Sequence, residues 1–434
     1  MGTPSRLGRR VAIVSGLRTP FCKAGTEYAR LSSLDLAKAA VVELMNRSEV
    51  DPAEVEALVY GNVVPSVAAP NVAREIVLST NLPRHIHGTT VMRACASSTE
   101  ATTNAANAIA VGNIDVAITG GVDCLSDVPI LFSRSFSDAL VKGSQAKKLP
   151  DRLKAFASIR PKDLVPVPPS ISERATQRTM GQHAEMMAKE HAIGRKEQDE
   201  LALQSHLRAA AAVERGYIGS ELAPVFLPDR GTAVSRDNHI RPDSTYEALA
   251  RLRPVFDKKY GTVTAGNACP VTDGASALLL MAEEKAKALG LTPMGFIRDY
   301  AYSAVDPHWQ LLIGPTFAIG RVLERTGMKL DDIDLVDLHE AFAAQVLSNV
   351  KAMASKTFAE EHLGRSTAVG EIDWAGDRFN VMGGSIAYGH PFAATAGRQM
   401  IMVLNELKRR GKQFGLIAQC AAGAMGAAMI LERE

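Results

Sequence analysis

The chain's 434 residues amount to about three domains of ~150 residues, which excludes a single small module and leaves room for two or three folding units. Hydrophobic residues at 46% and charged residues at 22% exclude disorder, a disulfide scaffold and a fibrous repeat. Forty-nine Lys+Arg against 47 Asp+Glu, with aromatics at 5%, give neither a global field nor a stacking surface for nucleic acid.

Residues 1–9 carry charge without an apolar h-region, and Val11–Val14 already has strand character. No secretory signal is expected, and the compartment is read as reducing and cytoplasmic. Short β-branched runs at Val11–Ser15, Ala57–Tyr60 and Val116–Thr119 are expected as strands, with helical spacing over Leu34–Leu44 and Thr99–Val111 between them. From 126 to 252 this alternation stops and Pro, Arg, Lys and Glu take over, a length that calls for a folded insertion of helices and loops. Inside it, residues 142–163 hold seven Lys/Arg against two Asp, and Leu149, Leu153 and Phe156 fall at helical spacing. That describes a short basic amphipathic element, suited to solvent, acidic phosphates, a partner subunit or a membrane surface. Ala277–Met281 and Ile333–Leu338 are further strands, and Phe414–Leu431 is uncharged but interrupted by glycines, so two buried strands around a turn are expected rather than a membrane span.

The two ends of the chain resemble each other. Val55–Gly61 is similar to Ile333–His339, while Val91–Cys95 with its Ala-rich helix and the strand after it is similar to Val381–His390, its helix and Phe414–Cys420. Two similar halves are implied. The halves are placed at 1–125 with 253–282 and at 283–434, with 126–252 inserted.

Five cysteines, at 22, 95, 124, 269 and 420, are scattered, with no CxxC pair and no histidine beside them at ligand spacing, so neither a disulfide framework nor a metal site is expected. Cys95 stands between a strand and a small-residue helix, where unpaired N–H groups favour a thiolate. His390 follows Gly389 and precedes Pro391 in a second tight turn at a helix start, close to the repeat-equivalent of Cys95. A pseudo-twofold would bring the two turns face to face. Cys420 closes a buried strand before Ala421-Ala422-Gly423-Ala424, whose amides suit an oxyanion. His339 opens His339-Glu340-Ala341-Phe342 at the carboxyl end of a strand. Read singly, Cys95 also fits a buried small hydrophobe, the turn after Cys420 a core corner, and His339 a helix cap.

Together, Cys95-Ala96-Ser97, His339-Glu340-Ala341-Phe342, Gly389-His390-Pro391 and Cys420-Ala421-Ala422-Gly423 resemble the signature set of thiolases, along essentially the whole chain. Arg18-Thr19-Pro20-Phe21 and Gly261–Asn267 before Asp273-Gly274 extend the likeness. The His-Glu-Ala-Phe form, Asn71–Glu75, Pro166-Val167-Pro168-Pro169 and the long basic insertion resemble the fatty-oxidation 3-ketoacyl-CoA branch, which supplies the β subunit of trifunctional complexes. The resemblance implies an α/β thiolase fold, two βαβαβαββ halves in five α/β/α/β/α layers, with the insertion over the CoA channel. It implies thiolysis of a 3-ketoacyl-CoA. Cys95 is the nucleophile, His390 its base and an oxyanion donor, Cys420 the acid/base and His339 part of the oxyanion site; the N–H groups of Cys95 and Ala422 form a second such site. Met180, Cys269, Phe342 and Gly423 match substrate or CoA contacts. Coenzyme A is a substrate and no cofactor is held permanently. A homodimer is implied, along with a heterotetramer containing a hydratase/dehydrogenase α subunit. The rivals are an acetoacetyl-CoA-forming condensing enzyme and a non-catalytic thiolase-like lipid-binding protein.

This chain departs from the common pattern at three places. His339 stands where most thiolases have Asn, Ala422 and Ala424 flank Gly423, and Cys269-Pro270 replaces a Ser-Gly that contacts pantetheine. Cys22 and Cys124 match nothing catalytic and are read as core.

Overall fold

The apolar runs read as strands all form, and most extend past their expected ends in the computed structural model, which describes residues 8–167 and 172–434. The strands are β1 (Val11–Arg18), β2 (Ala57–Gly61), β3 (His87–Val91), β4 (Val116–Asp123) and β5 (Thr272–Ala282). They continue with β6 (Gly295–Ala304), β7 (Leu335–Leu338), β8 (Phe414–Ala421) and β9 (Met425–Glu432). β4 and β5 are buried at every residue, so their apolar stretches, Val116–Ile118 and Ala277–Ala282, run unbroken rather than alternating. The uncharged run near the C-terminus is the β8–β9 pair, and no described helix is long and apolar enough to cross a membrane.

Contacts divide the described residues into two compact units, one reaching to Asp127 and resuming at Glu173, the other Val128–Ser172. In the larger unit the hydrogen-bonded order is β7-β8-β9-β6-β1-β5-β4-β2-β3. The repeat expected from sequence is visible in the strand directions. β1–β5 and β5–β4 are antiparallel and β4–β2 and β2–β3 parallel; β6–β9 and β9–β8 are antiparallel and β8–β7 parallel. A parallel bridge from Val336 to Phe379 stands where β3 stands in the first half. The halves meet where Ala12 and Ile13 of β1 pair with Phe296 and Gly295 of β6.

Helices α1 (Ser33–Ser48) and α2 (Val72–Ser79) cover the first half, and α3 (Ser97–Ala110) lies on its other face. Helices α4 (Met180–Glu190) and α5 (Arg195–Glu214) come next, followed by α6 (Gly314–Thr326), α7 (Ala343–Ala354) and α8 (Thr395–Arg410). α6 covers the outer face of the second half, with α7 against it. α8 packs on α3 and on strands of both halves, so it is buried nearly all round, down to Arg398. Helices thus cover each half on its outside and α3 and α8 fill the middle, the α/β/α/β/α layering expected.

The stretch 126–252 divides. Residues 173–252 pack with the larger unit, because Ala184, Met187 and Ala188 of α4 and Leu201 and Ala202 of α5 share one apolar cluster with α6 and α7. The smaller unit contains helices Arg134–Gln145 and Leu149–Phe156, joined by Phe136 edge-on to Phe132 and Phe156 at 5.2 and 6.4 Å. The expected basic helix therefore forms, with Leu149 and Leu153 exposed at 69% and 67%. Of the Pro166–Pro169 match, Pro168 and Pro169 lie outside the described residues.

Candidate active site

Cys95 is set on a sharp strand–turn–helix corner. Ala94 takes φ 44°, a left-handed conformation that costs a non-glycine residue about 1–3 kcal/mol and persists only where its surroundings enforce it. The enforcement is local. Arg93 N–H donates to Ser97 Oγ at 2.8 Å, Ser97 Oγ–H donates to Ala94 O at 2.7 Å, and the Arg93 guanidinium pairs with Glu100 at 2.6 Å over the Tyr302 ring. α3 begins two residues after Cys95.

His390 sits on the matching corner before α8. Gly389 has φ 96°, and a Cβ there would lie 2.3 Å from Thr272 Cγ2. Gly389→Ala adds that clash to a strained φ, and we expect a cost of roughly 1–3 kcal/mol or more. Thermal denaturation will show a lowered midpoint; an unchanged midpoint would mean that the corner relaxes freely.

The two corners face each other as the repeat implied. His390 Nε2 lies 3.0 Å from Cys95 Sγ, and His390 Nδ1 lies 2.6 Å from Thr395 Oγ1 in the first turn of α8. Thr395 is an acceptor for an Nδ1 proton, and that tautomer leaves the Nε2 lone pair toward the thiol. Asp123, at the end of β4, ties the corners together by accepting from Val63, Val64 and Asn62 in the first half and from Ala393 N–H at 2.8 Å in the second.

His339 follows β7 and is anchored by its N–H to Ala418 O at 2.8 Å. Its ring lies 4.2 Å from that of His390, its Nδ1 is 2.8 Å from Ser385 Oγ, and its Nε2 is buried without a hydrogen-bond partner. The loop bearing Ser385 is held by buried Glu340, which accepts from Ser205 Oγ at 2.7 Å, Asn380 Nδ2 at 2.7 Å and Ile386 N–H at 3.2 Å.

Cys420 is buried at the end of β8, opposite Gly426. Phe342 shares an apolar cluster with Cys420, and partly buried Met180, Cys269 and Phe256 pack against it. Phe342 also meets Phe256 edge-on at 5.9 Å. Cys269 N–H donates to Ala341 O at 3.0 Å; the Cys95 thiol raises that of Cys269, and both raise that of Cys420. Ala422 packs beside Cys95 and its backbone N–H favours the Cys95 thiolate, while Gly423 N–H donates to Glu173 at 2.9 Å. Cys22 and Cys124 are buried away in the core of the first half.

Electrostatics here differ from the helix-start expectation. The N–H groups of Ala422 and Cys95 do favour a thiolate, but burial outweighs them and pushes the Cys95 thiol up to about 12. Burial, reinforced by the Arg398 charge, drops His390 to about 3, and His339 falls well below its usual value for the same first reason. Burial also raises the Cys420 and Cys269 thiols. At neutral pH the resting pair is therefore thiol and neutral imidazole, poised for proton transfer within the attack step. Since the raised thiol ionises only at high pH, alkylation of Cys95 by iodoacetamide will keep accelerating through pH 9–10, where an ordinary thiol of pKa ~8.5 levels off. A plateau near pH 8.5 in peptide-mapped labelling would contradict this.

Sequence reading did not single out Thr395, Ser385, Asn380, Ser205 or Asp123. Only Thr395, five residues after His390 at a helix start, carried a usable local signal.

Residues 11–284 match the thiolase N-terminal domain and residues 291–433 the thiolase C-terminal domain. The chain is 50% identical over 430 residues to the 3-ketoacyl-CoA thiolase of Serratia proteamaculans, covering 99% of this chain and 98% of that protein. It is 51% identical over 427 residues to the one of Shewanella amazonensis, covering 98% of each. Human mitochondrial 3-ketoacyl-CoA thiolase superposes with TM-score 0.82 at 31% identity, over 98% of this chain and 99% of that one. Bacillus anthracis acetyl-CoA acetyltransferase does so with TM-score 0.82 at 31% identity, over 98% of each. With both domains matched across nearly the whole length, the chain belongs to the thiolase family.

Proposed function

We propose that this enzyme is a 3-ketoacyl-CoA thiolase, an acyltransferase that cleaves a 3-ketoacyl-CoA with CoA into acetyl-CoA and an acyl-CoA two carbons shorter. The single observation that carries the reading is the 3.0 Å approach of His390 Nε2 to Cys95 Sγ, with buried Cys420 near enough for the Cys95 thiol to raise its own. His390 takes the thiol proton as the sulfur attacks C3. The C2–C3 bond breaks, Cys420 protonates the acetyl-CoA enolate, and an acyl-Cys95 thioester remains. The Cys420 thiolate then deprotonates a second CoA, whose sulfur displaces Cys95 and carries off the shortened acyl group.

Charge develops on oxygen twice. The enolate oxygen is met from the His390 and His339 side. The tetrahedral oxyanion on the acylated carbon is met by the N–H groups of Cys95 and Ala422, already directed at the sulfur. Met180, Cys269, Phe342 and Gly423 bind the substrate or CoA, and CoA enters as substrate rather than as a permanent cofactor. Mixing the protein with 3-ketoacyl-CoAs of several lengths plus CoA, and following both enolate absorbance and acetyl-CoA formation, tests the reading. No acetyl-CoA at any chain length would overturn it.

The wider reading is a cytoplasmic homodimer of β-oxidation, built as the two halves and insertion drawn from sequence and joined to a hydratase/dehydrogenase α subunit, with residues 142–163 as a contact for that subunit or for a membrane. Exposed Leu149 and Leu153 beside Lys147, Lys148, Arg152 and Lys154 support the contact. Changing those four charges to Glu will weaken co-purification or binding to anionic liposomes; unchanged behaviour in both assays would count against it.

A further inference from the structure

The Cys95–His390 pair has a third neighbour that the acylation step leaves without a proton to carry. One ring nitrogen each of His339 and His390 and the Cys95 sulfur all lie within 4.8 Å of one another. Both imidazoles are fixed through their other nitrogen by a hydroxyl, His390 by Thr395 and His339 by Ser385. Outer hydrogen bonds of this kind are what orient metal-ligating histidines and fix their tautomer. The remaining nitrogen of His339, Nε2, is buried and has no hydrogen-bond partner. With each Nδ1 proton donated to its hydroxyl, a ring-nitrogen lone pair of each histidine and the Cys95 sulfur are gathered in one small volume.

We propose that Cys95, His339 and His390 form a binding site for a soft divalent metal ion of the Zn2+ type, and that the bound ion reversibly blocks the thiol. A tetrahedral Zn2+ with Zn–S of about 2.3 Å and Zn–N of about 2.0–2.1 Å sets neighbouring ligand atoms roughly 3.3–3.6 Å apart. The site reaches that geometry by opening the 3.0 Å sulfur–nitrogen contact slightly and drawing the His339 ring inward. One sulfur and two imidazoles, with no carboxylate in the set, select Zn2+ over Mg2+ or Ca2+. On binding, the thiol proton leaves to solvent, Cys95 coordinates as thiolate, both histidines remain neutral, and water or a substrate thiol supplies the fourth ligand. The binding claim stands on geometry alone, whereas the inhibition claim rests on the proposed thiolysis.

The full-length protein, freed of metal with a chelator, is titrated with Co2+ as a spectroscopic probe, and Zn2+ is then added in competition. The expected result is one Co2+ per chain with thiolate-to-cobalt charge transfer and tetrahedral d–d bands, all lost on adding Zn2+. Thiolysis in buffered free Zn2+ will fall with the same midpoint and return with EDTA. In His339→Asn, with inhibition expressed as a fraction of that variant's own metal-free rate, the Zn2+ midpoint will rise by about tenfold or more, since even outer-shell changes cost 10–100-fold in affinity. Zn2+ will also protect Cys95 of the unaltered protein from iodoacetamide, a readout that needs no variant. The absence of a charge-transfer band, an unshifted midpoint in folded His339→Asn, or equal Cys95 labelling with and without saturating Zn2+ would overturn the site. Stoichiometric metal binding by a protein that performs no thiolysis would instead overturn the proposed reaction and leave the site standing.

Discussion

Cys95→Ser will reduce thiolysis by about 10^4-fold or more while leaving the protein folded. Serine matches cysteine in shape, and the corner that holds it depends on Arg93, Ser97 and Glu100 rather than on the sulfur. The loss is chemical. A neutral imidazole held as low as about 3 accepts a thiol proton only because the thiolate forming beside it is stabilised by two backbone N–H groups; an alcohol is several pK units harder to ionise, and its alkoxide is the poorer leaving group when CoA must displace it. Incubation with a 3-ketoacyl-CoA and no CoA will add the shortened acyl mass to the Cys95 peptide of the unaltered protein and to no peptide of the variant. Turnover within tenfold of the unaltered protein, or acyl mass on Cys420, would move the nucleophile elsewhere.

His390→Asn will cost about 10^2–10^4-fold in kcat, the range for removing a positioned general base. In the proposed mechanism the same side chain receives the thiol proton and faces the enolate oxygen during acylation, and returns the proton to the Cys95 sulfur when CoA displaces it, so both half-reactions suffer. Thr395→Val is the informative companion. It removes the 2.6 Å partner of His390 Nδ1 while keeping the imidazole, so kcat will drop by about tenfold with KM little changed, as befits a residue that orients the base without touching substrate. If His390→Asn stays within tenfold of the unaltered kcat, some other base must serve Cys95. If Thr395→Val falls as far as His390→Asn, the imidazole works only with its Nδ1 held, and Thr395 does more than orient it.

Much of the fold was legible because strand and helix periodicity are local. The runs at Val11, Ala57 and Val116 begin the strands that form there, and the run at Ala277 lies inside β5, while the likeness of the chain's two ends returns as the repeated strand directions of the two halves. The limits of the insertion were less legible. Polar composition marks α4 and α5 as different from what precedes them, yet their apolar sides are committed to α6 and α7, and that partnership is a property of packing.

For the site, Cys95, His390 and Cys420 drew notice because each stands beside a glycine–proline or small-residue turn, where backbone geometry is dictated by near neighbours, and His339 because it follows a strand; the roles read for them came from the resemblance of the four segments taken together. Apart from Thr395, five residues after its partner His390, the hydroxyls and carboxylates that hold them were not readable. Ser385, Glu340 with Ser205, and Asp123 are common polar residues whose meaning comes from partners as much as 270 positions away. The sign of the Cys95 shift was decided the same way. A helix start is a local feature and favours the thiolate, but desolvation is summed over every group that excludes water from the sulfur, and that sum exists only once two distant halves have closed around it.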